Sequence, residues 1–257
     1  MITKKLTEEK FNQLLPLLYE AYPKTKDNQP KINEVVKLYK ETSFCDNTIV
    51  GLVDVSKRSF VYLSDNVNQL GYSKTALVGR GILNPFTVIH NSHHSFPFKY
   101  LKLQNNFLEN ISKDHINSKS YFCGVKLLDK KRENRRLFIK TKTLLVDEKN
   151  NATLIVCFIE DITHLIKNDA YWLRIQNGNK SAAYVQQRGK KEFKDVISKK
   201  EKEALLLMAK HKSNIEIANE LFVSISTVES HRKNMIKRLG AASSGALVHL
   251  CKMAHII

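Results

Sequence analysis

From Ser198 onward the sequence is punctuated by one recurring phrase, a serine followed three residues later by a glutamate: Ser198 with Glu201, Ser213 with Glu216, and Ser226 with Glu229. This is the spacing of a capping box, in which the serine hydroxyl accepts a free amide at a helix start and the acid bonds back to the serine amide. Each pair stands before an apolar run, so the three together predict three helix starts. The first helix is expected from about Lys199 to Lys210, burying Ala204, Leu205 and Met208. The second runs from Asn214 to Leu221 and buries Ile217, Ala218 and Leu221, with Ala218 small enough for a close helix crossing. Phe222 to Ile225 then turn the chain into a third helix from Thr227 to Leu239, which Gly240 ends in a left-handed conformation.

In that third helix Val228, Met235, Ile236 and Leu239 are expected inside, leaving Glu229, Ser230, Arg232, Lys233, Lys237 and Arg238 on a mostly basic outer face. A helical interaction module with a charged face is the bland reading; two helices joined by so short a turn favour a helix that lies in a DNA major groove. The runs Ile197-Ser198-Lys199-Lys200-Glu201, Asn214-Ile215-Glu216-Ile217-Ala218 and Ser224-Ile225-Ser226-Thr227-Val228-Glu229-Ser230-His231 resemble the LuxR-type helix-turn-helix family over about residues 195–254. The resemblance implies an all-α domain of four helices, with a fourth at about Ser243 to Met253 that serves dimerisation. By position it implies that Glu229, Ser230 and Lys233 face bases, and that Thr227, His231, Arg232 and Lys237 contact the DNA backbone. Two departures stand out: His211 and Lys212 occupy the place of the family's usual Gly, and Gly245 is expected to weaken the fourth helix.

Upstream the period changes. Ile49 to Val55 and Phe60 to Leu63 are β-branched and aromatic runs separated by Ser56 to Ser59, the pattern of a hairpin. Three further strands are expected at Tyr121 to Leu128, Leu137 to Val146 and Thr153 to Ile159, with turns at Asp129 to Asn134 and Asp147 to Asn151. Two strands, a helical middle and three strands make an α+β unit. Val53-Asp54-Val55, Phe60-Val61-Tyr62-Leu63-Ser64-Asp65-Asn66, Leu70-Gly71-Tyr72-Ser73, Leu77-Val78-Gly79 and the exit Glu160-Asp161-Ile162-Thr163 resemble a PAS domain over roughly residues 46–165. That resemblance implies a five-stranded antiparallel sheet with helices on one face around a small pocket, and a signal conducted by the segment after Thr163.

The expected architecture is therefore an α+β PAS-like antiparallel sheet domain with N-terminal helices, followed by an all-α four-helix helix-turn-helix domain. Residues 1–45 are read as a helical cap, with helices at 6–22 and around Ile32, Val35, Val36 and Tyr39; residues 46–165 as the PAS-like sensor; 166–194 as a basic, partly helical linker; and 195–257 as the helix-turn-helix domain. Ile166, Tyr171, Trp172 and Ile175 carry the helical reading of the linker, in which nine Lys or Arg oppose three Asp or Glu between 163 and 200.

A formal charge of +17, from 42 Lys and Arg against 25 Asp and Glu, attracts polyanions and so suits double-stranded DNA as partner. Cys45, Cys123, Cys157 and Cys251 have neither metal-site nor redox spacing and read as reduced thiols. Residues 1–20 carry Lys4, Lys5, Glu8, Glu9 and Lys10 in place of a signal region, and no run approaches about 18 uncharged apolar residues, so a cytoplasmic protein without a membrane partner is expected. No nucleophile elbow, phosphate loop or metal-spaced cluster points to an enzyme. A phosphorylated receiver domain is argued against because the strands cluster without intervening helices. His90, His93 and His94 are a candidate haem or metal site, but loop histidines are ordinary, Cys123 and Cys157 fall in strands rather than in a flavin signature, and no cofactor is expected. The function that follows is transcription regulation by a homodimer, with RNA polymerase a further candidate partner and a small molecule or a protein as the signal. The alternatives are a sigma-factor-like promoter-binding module and a cofactor-bearing PAS sensor.

Overall fold

A computed structural model describes Pro16 and residues 28–42, 47–78, 89–109, 116–128, 133–186 and 192–257. The expected helix at 6–22 lies outside the described residues apart from Pro16. The first described helix, α1 (Gln29–Glu41), opens on a proline in its first turn, where the missing amide costs nothing. A hairpin follows, β1 (Thr48–Asp54) and β2 (Ser59–Leu63), then the short helix α2 (Lys74–Leu77) and the longer α3 (Phe96–Glu109). Three long strands, β3 (Ser118–Leu128), β4 (Asn134–Val146) and β5 (Ala152–Asp161), complete the expected five, all paired antiparallel. This is the antiparallel PAS-like sheet.

The sheet does not stop there. Three more strands, β6 (Trp172–Asn177), β7 (Lys180–Val185) and β8 (Glu192–Phe193), extend it to eight in the order β2-β1-β5-β4-β3-β6-β7-β8. The helical reading of 166–194 is therefore corrected: Trp172–Asn177 pairs with β3 on one side and β7 on the other. Tyr171, Trp172, Leu173, Arg174 and Ile175 are all buried because this strand is covered on both faces, which erases the alternation that marks a half-exposed strand. The overlooked signal is Gly178-Asn179, a two-residue loop between the paired Asn177 and Lys180, with Gly178 at φ 53°.

Side-chain alternation divides the sheet into two working faces. The inner face contributes Ile49, Val53, Phe122, Val125, Leu137, Ile155, Leu173 and Ile175 to a core shared with α3 residues Phe96, Tyr100, Leu101, Leu103 and Phe107. On the outer face two separate bodies sit side by side. Over β1, β2 and β5, Ile32 of α1 packs with Val50, Leu52, Tyr62, Leu154 and Val156, and Tyr39 meets Tyr62 edge-on at 6.3 Å. Over β3, β4, β6 and β7, Tyr121, Phe138, Trp172, Ala183 and Val185 form one core with the C-terminal helices. A bulge at Gly124 keeps these faces in phase: the β3–β4 register shifts between Cys123 and Val125, so Cys123 faces out while Val125 and Leu127 stay in. Gly124 has φ +77°, and an added Cβ would lie 2.5 Å from the Ala170 carbonyl oxygen, so this position demands glycine.

The C-terminal helices are α4 (Lys199–Ala209), α5 (Asn214–Leu221), α6 (Ile225–Leu239) and α7 (Ser244–Met253). They enclose Ala204, Leu205, Ile217, Val228, Met235, Leu239, Leu247 and Leu250, all buried. Gly245 does not prevent α7 from forming, because Ser243 caps it by accepting from the Ala246 amide and its apolar side is locked into this core. No helix among the described residues is long and apolar enough to cross a membrane.

Candidate nucleic-acid interface

The geometry of α5 and α6 follows from their caps. Both reciprocal boxes expected at Ser198/Glu201 and Ser213/Glu216 form. The third does not. Helix α6 begins two residues earlier than expected, with Ser224 as its cap, accepting from the Thr227 amide at 3.1 Å. The reason is the turn itself: Phe222 adopts the left-handed conformation at φ 53°, and the Val223 amide bonds back to the Ala218 carbonyl at 3.0 Å, which ends α5 and brings the chain into position at Ser224. Ser226 then lies inside the first turn with its hydroxyl 2.8 Å from that of Ser224, and Glu229 is released from capping. It is exposed, with the Asn214 amide group at 3.5 Å from its carboxylate.

At about 100° per residue, Ser226, Ser230, Lys233 and Lys237 fall along one stripe of α6. All four are exposed, as is Asn234 at its edge, so the docked helices leave this face open to solvent. Of the residues singled out in the sequence, Glu229, Ser230, Lys233 and Lys237 share the open side. Thr227 is half-buried, its hydroxyl 2.8 Å from that of Ser224 in the cap. His231 and Arg232 are half-buried at the flanks, and Arg232 borders a groove with His211, Lys212, His249 and Lys252. Ser226 and Asn234 were missed, although the 3.6-residue period places both on the open side once the helix start is known.

Arg238 corrects another expectation. Expected on the outer face, its side chain is only 11% exposed and its two terminal nitrogens donate to the Glu201 carboxylate at 2.9 and 2.8 Å. Glu201 also accepts from the Ser198 amide at 2.8 Å. Burial works against its charge, but Arg238 and the cap hold its carboxyl below the ordinary glutamate range. The pair clamps α6 to the start of α4. His211, at φ 62°, shows why glycine is usual at this corner. The turn also carries an apolar rim, with Phe222 at 95% exposure beside Val223 and Ile225.

The inner core of the sheet holds a cavity of about 110 Å³, walled by apolar side chains including Phe60, Leu63, Ile89, Phe96, Leu127 and Leu137. Tyr72 also lines it, but its hydroxyl is turned to the Leu128 carbonyl. The three histidines do not converge on it. His93 is fully buried, accepting from the Lys126 amide at Nδ1 (2.9 Å), which leaves Nε2 to carry the proton and donate to the Asp169 carbonyl at 3.0 Å. The Arg136 nitrogen 3.4 Å from Nε2 is another donor and makes no bond there. Burial and the neighbouring Arg136 charge lower the His93 pKa to about 4, so the ring is neutral. His94 points to the Ile89 carbonyl and His90 to Ser92. Among the described residues no group of three His, Cys, Asp or Glu is arranged for a metal. Cys123, Cys157 and Cys251 are buried free thiols whose pKa values burial raises.

The open stripe of α6 thus lies on the second helix of a helix-turn-helix, here joined to a PAS-like antiparallel sheet. Residues 195–251 match the family model described as bacterial regulatory proteins, luxR family, and this part of the chain is a LuxR-type helix-turn-helix domain. Over 53 residues the chain is 47% identical to the oxygen regulatory protein NreC of Staphylococcus aureus, a match covering 21% of this chain and 24% of that protein. The chain thus spans about a quarter of the length of the curated relatives it matches. Among solved structures, the Vibrio cholerae VqmA dimer without target DNA aligns over 86% of this chain and 87% of that one, at 16% identity and a TM-score of 0.33. The N-terminal domain of a diguanylate cyclase with a PAS/PAC sensor from Marinobacter aquaeolei aligns over 46% of this chain and 96% of that one, at 13% identity and a TM-score of 0.35. At such scores the account of the sheet rests on its own strand order and faces.

Proposed function

We propose that this protein is a sequence-specific transcription regulator of double-stranded DNA, acting as a homodimer, in which α6 reads the major groove and the PAS-like half senses a small apolar molecule. The observation that carries the first part is the stripe Ser226, Ser230, Lys233 and Lys237, open to solvent while Val228, Met235, Ile236 and Leu239 of α6 are packed into the core. Glu229, Ser230 and Lys233 then face base edges, Glu229 accepting from a cytosine amino group and Lys233 donating to guanine. Lys237, His231 and Arg232 approach phosphates. Thr227 contributes to the backbone contact through the capped N-terminus, since its hydroxyl is already bonded there. Pairing of two copies doubles both readout and phosphate neutralisation, and the outer side of α7, with Gly245, His249 and Lys252 exposed, is available for it. The chain divides functionally into α1, a sensor running from 46 to the end of β8, and the reader from 195. The setting is cytoplasmic, and the role calls for no catalytic step.

The second part rests on the cavity. The described residues around this space of about 110 Å³ are apolar along its wall, which suits an uncharged molecule of about benzene size. The test is selection of duplexes from a random pool by the full chain, followed by competition against scrambled sequence at fixed salt. An enriched inverted repeat is expected; absence of any preferred sequence overturns the reading. An RNA polymerase requirement for tight binding would turn it to the sigma-factor-like alternative.

A further inference from the structure

The exposed stripe of α6 has to be held at a fixed pitch against the sheet, and the residues that hold its far end also reach the cavity wall. Helix α6 ends with carbonyls that its own amides cannot satisfy. The Ile236 carbonyl takes the Gly240 and Ala241 amides. The Lys237 carbonyl takes the side-chain amide of Asn168 at 3.1 Å, from the segment that leaves β5. Around it the two chains run as a short clasp: Lys167 donates to the Gly240 carbonyl and Ala242 to the Leu165 carbonyl, each at 2.8 Å, and Ile166 bridges Ala241. The Asn168 side-chain oxygen accepts from Ala170 at 2.9 Å, which fixes which way the amide faces. Gly240 is left no room, since a Cβ there would lie 2.7 Å from that oxygen.

The other side of the same segment is bolted to the sensor core. Arg136, buried on β4, donates to the Asn168 carbonyl at 2.9 Å and the Gly124 carbonyl at 3.0 Å, and pairs with the Asp169 carboxylate. Its own amide donates to the Thr163 hydroxyl at 2.9 Å, so one arginine grips both ends of the segment. Next in line, His93 donates to the Asp169 carbonyl and accepts from Lys126. His93 closes a single turn of helix, Asn91–His93, set between Ile89 and Phe96, both of which line the cavity.

We propose that His93 and Asn168 are positioning residues that transmit the state of the apolar cavity to the recognition helix. Displacement of the Ile89–Phe96 wall moves His93; His93 shifts the Asp169 carbonyl; and Asn168, one residue away and held by the same Arg136, carries the shift to the Lys237 carbonyl. The coupling runs through backbone carbonyls, so it requires neither a charge change nor release of the helices from the sheet. It rests on the sensing role of the cavity but can be tested apart from it.

The experiment follows backbone amide signals of the full chain by NMR while the cavity is perturbed in two ways, by saturating benzene and by Ile89→Ala. Each perturbation is applied to the wild type and to Asn168→Asp, which keeps the shape and the Ala170 contact but cannot donate to Lys237. In the wild type both perturbations are expected to move Leu127 at the wall and Gly240 and Ala241 at the end of α6. In Asn168→Asp the wall signals still move, while the response at Gly240 and Ala241 falls to below about a third, the non-additivity of coupled sites. A benzene titration that leaves Leu127 unmoved removes the apolar-ligand reading, and the coupling is then decided by Ile89→Ala alone. Wall movement without movement at Gly240 in the wild type, or an undiminished response in Asn168→Asp, overturns the proposal.

Discussion

Removing the Glu201 carboxylate is the most demanding test of how the reader is assembled. In Glu201→Ala, Arg238 loses both of its hydrogen bonds while its side chain, 11% exposed, remains among α4 and α6. Leaving one member of such a pair uncompensated costs about 3 to 5 kcal/mol, and losing the reciprocal half of the α4 cap adds about 1 kcal/mol. Arg238 can relax partly towards solvent, so the lower end of the sum, about 4 kcal/mol, is expected. A unit of about sixty residues holds roughly 3 to 9 kcal/mol in all, so the substitution brings the helices close to their limit. The assay is urea unfolding of the full chain followed by Trp172, the sequence's single tryptophan, which is fully buried between the sheet and these helices. The transition is expected at markedly lower urea, with fluorescence moving to the red before the β-sheet circular dichroism is lost. The double variant Glu201→Leu/Arg238→Met should recover most of the loss, because no orphaned charge remains. A loss below about 1 kcal/mol in Glu201→Ala would refute the reasoning: it would mean a solvent-screened pair and an Arg238 free to reach DNA.

His93 gives a pH dependence of definite sign. Its pKa is about 4 in the folded chain against 6.5 unfolded, so between these values the unfolded state binds more protons, and stability falls by about 3 kcal/mol as pH drops from 6.5 to 4. Urea midpoints across that range check it, and His93→Gln should flatten the slope there. Gly240→Ala should cost about 1 to 3 kcal/mol in a thermal or urea melt, since it forces a side chain into φ +77° and against Asn168; a neutral result would mean the clasp is loose. Lys233→Ala should weaken binding to the selected duplex by about 1 to 3 kcal/mol and to random duplex much less. An equal loss on both, with the salt slope reduced by about 1, would make Lys233 a phosphate contact only.

The C-terminal domain was almost wholly legible because its information is local. Ser198 and Ser213 meet their glutamates within one helical turn, and the periodic apolar residues name the buried sides, so three helices and most of the open stripe follow from the order of residues alone, while the fourth came only with the family resemblance. The first five strands were legible for a similar reason, their β-branched runs being bounded by polar turns. Where several local solutions competed, the choice lay elsewhere: Ser224 and Ser226 are both competent caps, and the path forced by Phe222 chose between them. Arg238 could be turned outward or inward on the same helix, and a carboxylate 37 residues away decided it. Tyr171 to Ile175 read as helix in isolation because burial on both faces hides a strand's period, and only their place between β3 and β7 reveals it. Short-range hydrogen bonding and periodicity thus lay within the sequence's reach. The packing of the reader on the outer face of the sheet, the inward Arg238 and the Asn168 clasp belong to the tertiary structure, because each joins groups far apart in the chain whose meeting no local pattern encodes.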